Sequence, residues 1–250
     1  MRIISVMSGK GGVGKTTVAT NLGAILSTVF KKQIAVMDCN VTTAHVGAFL
    51  GLDHTPVTLN HVLKGAPVTE AVYHHPSGMK IIPSSLALHD MHGIDIALIS
   101  DAVKAFYDAY VGQVDVLLLD CAPGLGREAL AGIRASDEML AVTVPYLPAV
   151  MDVVRCNHLV RDLGVRNVGV VLNLVGRKRH ELSRTEVEGA IGLPVLAEIP
   201  ADDAVLRSLA KRMPVALADP RARPTRELVR LASAVLEQQP RTPTQRFTGA

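Results

Sequence analysis

The chain contains no tryptophan, and aromatic residues make up only 3% of its 250 positions. So little aromatic surface argues against a platform for stacking unpaired bases. Cysteine is equally sparse. Cys39, Cys121 and Cys156 stand apart with no C-x-x-C pair, so neither a disulfide framework nor a zinc site is indicated, and an iron–sulfur carrier is disfavoured. No apolar run reaches the roughly 18 residues that a membrane-spanning helix needs. The opening MRIISVMSG meets a glycine loop too early to hold a signal peptide. Charge is nearly balanced at +3, too little to imply nucleic acid by itself. The expectation from these absences is a soluble, cytoplasmic protein.

What is present is apolar and regular. Hydrophobic residues make up 48% of the chain, enough for a sizeable core. Short aliphatic runs alternate with longer helical patterns: RIISVMS from Arg2, QIAVMDC from Gln33, MKIIPSS from Met79, VDVLLLD from Val114, EMLAVTVP from Glu138, VGVVLN from Val168 and PVLAEIP from Pro194. Most lack strict alternation, as parallel strands covered on both faces do. Helical patterns such as TTVATNLGAILSTVF, IALISDAVKAFYDAY and PAVMDVVRCNHLVRDL fall between them. This order predicts an α/β fold, a doubly wound, mostly parallel sheet flanked by helices on both faces, with ligands at the carboxyl ends of its strands. Val41 to Ser77 is less regular and is expected to hold short helices and loops. One domain is expected over 1–239, followed by a polar, proline-bearing tail over 240–250 that frays.

The chemistry starts at SGKGGVGKTT. Gly9, Gly14, Lys15 and Thr16 satisfy G-x-x-x-x-G-K-[ST] directly after a strand and at the opening of a helix. A chance match in a chain of this length is on the order of one in a hundred. Glycines let successive N–H groups converge on phosphate oxygens, and the helix N-terminus adds positive potential. Lys15 balances the β and γ charges of a nucleotide, and the Thr16 hydroxyl can ligate Mg²⁺. Asp38 and Asp120 each end a strand, where an acidic group commonly holds Mg²⁺ through water. Either alone is often only a turn or cap. The loop after Asp120, with Pro123 and Gly124, suits a backbone that senses a γ-phosphate. Asn173 closes another strand, and its amide can read the donor and acceptor edge of a purine, although such an Asn is often only a turn residue.

KGGVGKTT, with a second lysine at Lys10, resembles the deviant phosphate loop of the MinD/ParA family of P-loop ATPases. So do NLGAIL from Asn21, LLLDCAPG from Leu117, VVLNLVG from Val170 and IPADDAVLRSLAKRMPVAL from Ile199, and the likeness is greatest to the MinD branch. The resemblance implies ATP and Mg²⁺ as cofactors. It implies nucleotide contacts from Gly9, Lys10, Gly11, Gly12, Val13, Gly14, Lys15, Thr16 and Thr17, with base contacts from Asn173, Pro200, Ala201 and Asp202. It also implies a homodimer in the ATP state, in which Lys10 reaches the phosphates bound by the other subunit, as an arginine finger does. The family commonly carries D-x-D after the second strand. This chain reads Asp38, Cys39, Asn40, so the position that orients the attacking water holds an amide. Slow turnover is expected, and Asn40→Asp is expected to raise it.

The resemblance implies a slow ATPase switch for spatial organisation, such as division-site placement or positioning of a cellular machine, acting with an unidentified protein partner. A nucleotide-gated scaffold with negligible hydrolysis is the second reading, and an amide-forming biosynthetic enzyme of related fold the third. The tail carries Phe247 as its only large apolar side chain, with prolines at Pro240 and Pro243, so no tail-mediated membrane binding is expected. Cys39 and Cys121 are expected to face away from the nucleotide as core residues. The histidines around His74 and His89 are expected to be surface or loop residues. GRKRH from Gly176 and the arginines Arg221, Arg223, Arg226 and Arg230 read as solvated faces, because acids are interspersed.

Overall fold

In the computed structural model, residues 1–238 are described. The tail at 240–250, its fraying and its membrane behaviour therefore lie outside the described residues. The chain opens with β1 (Arg2–Met7), crosses the glycine loop into α1 (Lys15–Thr28), and returns as β2 (Ile34–Cys39). Short helices α2 (Val46–Phe49) and α3 (Leu59–Val62) follow, then a 3₁₀ turn over Val68–Ala71, β3 (Tyr73–His74), β4 (Lys80–Ile82) and α4 (Leu88–Met91). A second 3₁₀ turn, Ile96–Leu98, leads into α5 (Ile99–Tyr110), β5 (Val116–Cys121), α6 (Arg127–Arg134), β6 (Glu138–Thr143) and α7 (Leu147–Asp162). The chain ends its described part with β7 (Arg166–Val175), α8 (Arg184–Ile191), β8 (Val195–Pro200), α9 (Asp203–Ala210), α10 (Val215–Ala218) and α11 (Arg223–Glu237).

The strands form one sheet in the order β3-β4-β2-β5-β1-β6-β7-β8. All pairings are parallel except β3 against β4, where Tyr73 faces Ile81 and His74 faces Lys80. That two-residue edge strand falls inside the irregular stretch and has too few residues to leave a periodic signal. Strand alternation divides the core between the two faces. Ile3, Met7, Met37, Leu117 and Leu119 turn to the face covered by α5 to α8, while Ile4, Val6, Val36 and Leu118 turn toward α1 and α11. Both faces are therefore buried, which is why the strands read as continuous apolar runs. Among the described residues, no helix is long and apolar enough to cross a membrane.

Register places the site. In parallel pairing Asp38 stands beside Asp120, and Cys39 beside Cys121. The aspartates share the parity of Val36 and Leu118 and point toward α1. The cysteines share the parity of Met37 and Leu119 and join the core on the other face, as alternation predicts. At the opposite end of the sheet, the fully buried Glu138 is clamped between Arg2 and Arg166, and Arg2 also donates to the carbonyl of Val235 in α11 at 3.0 Å.

Candidate functional site

The loop from β1 to α1 closes on Gly14, which caps the helix at φ 85 with no side-chain cap. The first-turn N–H groups are left for an external acceptor, the usual basis of anion binding at a helix start. A Cβ on Gly14 would also lie 2.2 Å from Asn173 Nδ2, so the position excludes any side chain twice over. The loop borders a cavity of about 490 Å³ lined by Gly12, Lys15, Thr16, Asn40, Thr43 and Pro123, among others.

Two buried carboxylates underlie it. Lys15 Nζ donates to Asp120 Oδ1 at 2.8 Å, and Thr16 Oγ1 donates to Asp120 Oδ2 at 2.6 Å. Burial alone would lower the Lys15 pKa, but the charge and hydrogen bond of Asp120 outweigh it and raise the value. Asp38 Oδ1 accepts from the Asn40 N–H at 3.1 Å, and Oδ2 accepts from the His45 and Val46 N–H groups at 3.0 Å each. Burial and the neighbouring Asp120 push the Asp38 carboxyl up to about 7, with those three N–H donors working against the shift. A hydroxyl and two carboxylates thus meet beside the cavity. Hard oxygen donors of this kind fit Mg²⁺, with phosphate oxygens and water completing the shell.

The other expected residues fall into four groups. Pro123 lines the cavity, and the Gly124 N–H donates to the Ser8 carbonyl at 2.8 Å, which ties the loop after β5 to the glycine loop. Asn173, Pro200, Ala201 and Asp202 border a second, more apolar cavity of about 330 Å³ that shares Gly12, Gly14 and Thr17 with the first. There Asn173 Nδ2 donates to the Val13 carbonyl at 2.7 Å, and Asp202 Oδ1 caps α9 by accepting from the Ala204 N–H at 2.9 Å. Asn40 is turned to its own loop: Nδ2 donates to the Thr43 carbonyl at 2.6 Å, and Oδ1 accepts from Thr43 Oγ1 at 2.9 Å. Gly9 and Lys10 are not in the cavity wall. The Lys10 side chain is exposed at the rim, while Lys15 is buried.

Sequence reasoning passes over Thr43, His45 and Phe49, which line the cavity beside the glycine loop from the irregular stretch after β2. It also passes over Glu128 of α6, whose carboxylate accepts from the Thr42 N–H at 3.0 Å and from Thr42 Oγ1 at 2.8 Å. No motif marks these residues, because their place depends on how the loop folds over the strand ends. Among the histidines, His75 lies in the loop after β3, as expected, but is buried there: its Nδ1 accepts from the Ser77 N–H at 3.1 Å, and burial lowers its pKa.

A parallel sheet whose first strand feeds a glycine loop, with a lysine, a threonine and two aspartates gathered below, defines a P-loop nucleotide hydrolase. The chain belongs to the ParA family, whose model, described as the NUBPL iron-transfer P-loop NTPase, matches residues 1–236. Its relatives place it in the MinD branch. An uncharacterized ATP-binding protein of Methanocaldococcus jannaschii is 35% identical over 214 residues, 85% of this chain and 80% of that protein. The cell division ATPase MinD of Pyrococcus furiosus superposes with a TM-score of 0.90 at 29% identity, covering 95% of this chain and 99% of that one. The septum site-determining protein MinD of Pyrococcus horikoshii, complexed with Mg-ADP, gives 0.89 at 27% identity, with 94% and 96% covered.

Proposed function

We propose that this protein binds ATP with Mg²⁺, dimerises around the nucleotide and hydrolyses it slowly, as a switch in spatial organisation within the cell. The observation that carries the reading is the convergence of Lys15 and Thr16, which line the cavity beside the glycine loop, on Asp120, with Asp38 alongside. Thr16, Asp38 and Asp120 hold the ion in this reading, and the ion supplies charge neutralisation at the phosphates. The α1 N–H groups and Lys15 bind and orient the polyphosphate. The apolar cavity beside Asn173, Pro200 and Ala201 takes the base. Lys10 serves the nucleotide of the second copy. Its support is the contrast between an exposed lysine at the rim and a buried one in the cradle.

One observation favours a scaffold with negligible hydrolysis as the second reading: both polar atoms of the Asn40 side chain are committed to Thr43. An iron-transfer role, which the family description names, finds no support in the thiols. All three cysteines are buried, and burial pushes Cys121 and Cys156 up to about 12, far from the thiolate a metal needs. Phosphate release measured on the purified chain with ATP and Mg²⁺ separates switch from scaffold. Release no faster than the buffer blank would leave only the scaffold.

A further inference from the structure

Two arginine-bearing stretches that read as solvated faces meet in the folded chain. The turn after β7 carries Arg177, and the first turns of α11 carry Arg223, Arg226 and Arg230. With Glu198 and Glu227 they line one cleft of about 370 Å³. Arg177 sits at φ 55, a left-handed conformation that costs a non-glycine residue roughly 1–2 kcal/mol. Its side chain is exposed and has no hydrogen-bond or ion-pair partner among the described residues. Among the described residues the Arg226 side chain donates only to the Arg221 carbonyl, at 3.2 Å, Arg223 lies 3.6 Å from Asp202, and Arg230 pairs with Glu227 at 2.6 Å.

We propose that this cleft docks an acidic segment of a partner protein. Four guanidinium groups against two carboxylates leave it positive. The two glutamates decide between polyanions. A phosphodiester backbone offers acceptors alone and meets Glu198 and Glu227 with repulsion. A peptide brings carboxylates that match the guanidinium fork, and its N–H donors can meet the oxygens that Glu227 and Glu198 keep beyond their pairing with Arg230 and Arg184. The net charge of +3 also lacks the broad positive field that non-specific nucleic-acid binding uses. The cleft is built next to the nucleotide. Pro200 and Ala201 form the wall it shares with the apolar cavity, and Asp202, next in the chain, both caps α9 and faces Arg223. A carboxylate that draws Arg223 away from Asp202 acts directly on that wall. The docking stands apart from the nucleotide chemistry, whereas its effect on turnover rests on the ATPase reading.

Fluorescein-labelled octaglutamate, titrated by anisotropy against the full chain at low salt, tests the docking, with octalysine and a random-sequence DNA duplex as comparison probes. The expected result is octaglutamate binding that weakens about tenfold or more in Arg177→Ala/Arg226→Ala, as loss of two charge-assisted contacts implies. The charge reversal Arg177→Glu/Arg226→Glu is expected to bind octalysine in preference. Both side chains are at the surface, so the thermal midpoint of each variant should match the parent. Octaglutamate binding that survives both variants overturns the proposal. So does DNA binding that is tighter than octaglutamate binding and falls with the same substitutions, because that makes the cleft a phosphodiester site. ATP affinity is measured separately on the parent chain, so a failure of the nucleotide reading cannot be mistaken for a failure of docking.

Discussion

Lys15 is bonded inside the fold and, in the ATPase reading, also binds the ligand, so its removal should show both. The buried ammonium is the cation bonded to Asp120, with Asp38 the next strand over. Lys15→Ala leaves two carboxylates in the interior without it, so a loss of about 3 kcal/mol is expected by denaturant unfolding. ATP binding by calorimetry should vanish in the same variant. Wild-type affinity there would contradict the assignment of the loop. Asn40 poses the opposite problem. Its amide braces the loop through Thr43, and a carboxylate cannot donate to the Thr43 carbonyl. Asn40→Asp should therefore cost about 1–2 kcal/mol without nucleotide, the usual penalty for one broken buried hydrogen bond. With ATP and Mg²⁺, the carboxylate can orient and deprotonate water, so phosphate release should rise up to about tenfold. Destabilisation with unchanged release would mean that Asn40 only braces the loop.

At the level of elements, the two ends of the sheet do different work, and the sequence reveals them unequally. The carboxyl end was legible because its residues sit in a motif: a glycine loop between a strand and a helix, and aspartates closing two aliphatic runs. The amino end was not. Arg2, Glu138 and Arg166 are separated by more than a hundred positions and a short crossover, and only the order β1-β6-β7 brings them together. The same holds for the Thr42–Glu128 contact and for β3, since tertiary pairing leaves no local period to read. The clamp joins β1, β6, β7 and α11, so it should matter to folding and not to the ligand. Glu138→Gln leaves two arginines facing a neutral amide, with an expected loss of about 2–4 kcal/mol. ATP affinity in the folded variant should stay within about twofold, as distant sites usually act independently. A large change in affinity would mean that strain at the amino end travels along the strands to the loop.

The whole molecule presents the phosphate loop on a face that a second copy can cover. Leu125, Tyr146, Leu147 and Met151 are 38–57% exposed on the loop after β5 and the start of α7, at the same end of the sheet as the glycine loop. That start of α7 lies against the loop itself, because a Cβ on Gly9 would come within 2.4 Å of Asp152 Cβ. Lys10, exposed and next in the chain to Gly9, therefore lies close to the start of α7. Light scattering should show a monomer alone or with ADP, and a dimer with ATP and Mg²⁺. Met151→Glu places a charge in the rim and should prevent dimerisation, because an unpaired charge in a desolvated interface costs several kcal/mol. The same variant should keep its ATP affinity, since Met151 lines neither the cavity beside the glycine loop nor the apolar one next to it. Lys10→Ala divides the roles further. If the lysine acts across the interface, the variant should bind ATP normally while phosphate release falls at least tenfold, a modest share of what a finger in trans contributes. Mixing Lys10→Ala with a Lys15→Ala chain gives the decisive case. In a mixed dimer the Lys15→Ala chain cannot hold ATP but still offers its Lys10 to the partner's nucleotide, so part of the activity should return. Activity that stays absent in the mixture, with mixed dimers present by mass, would place Lys10 on its own nucleotide and remove the trans mechanism.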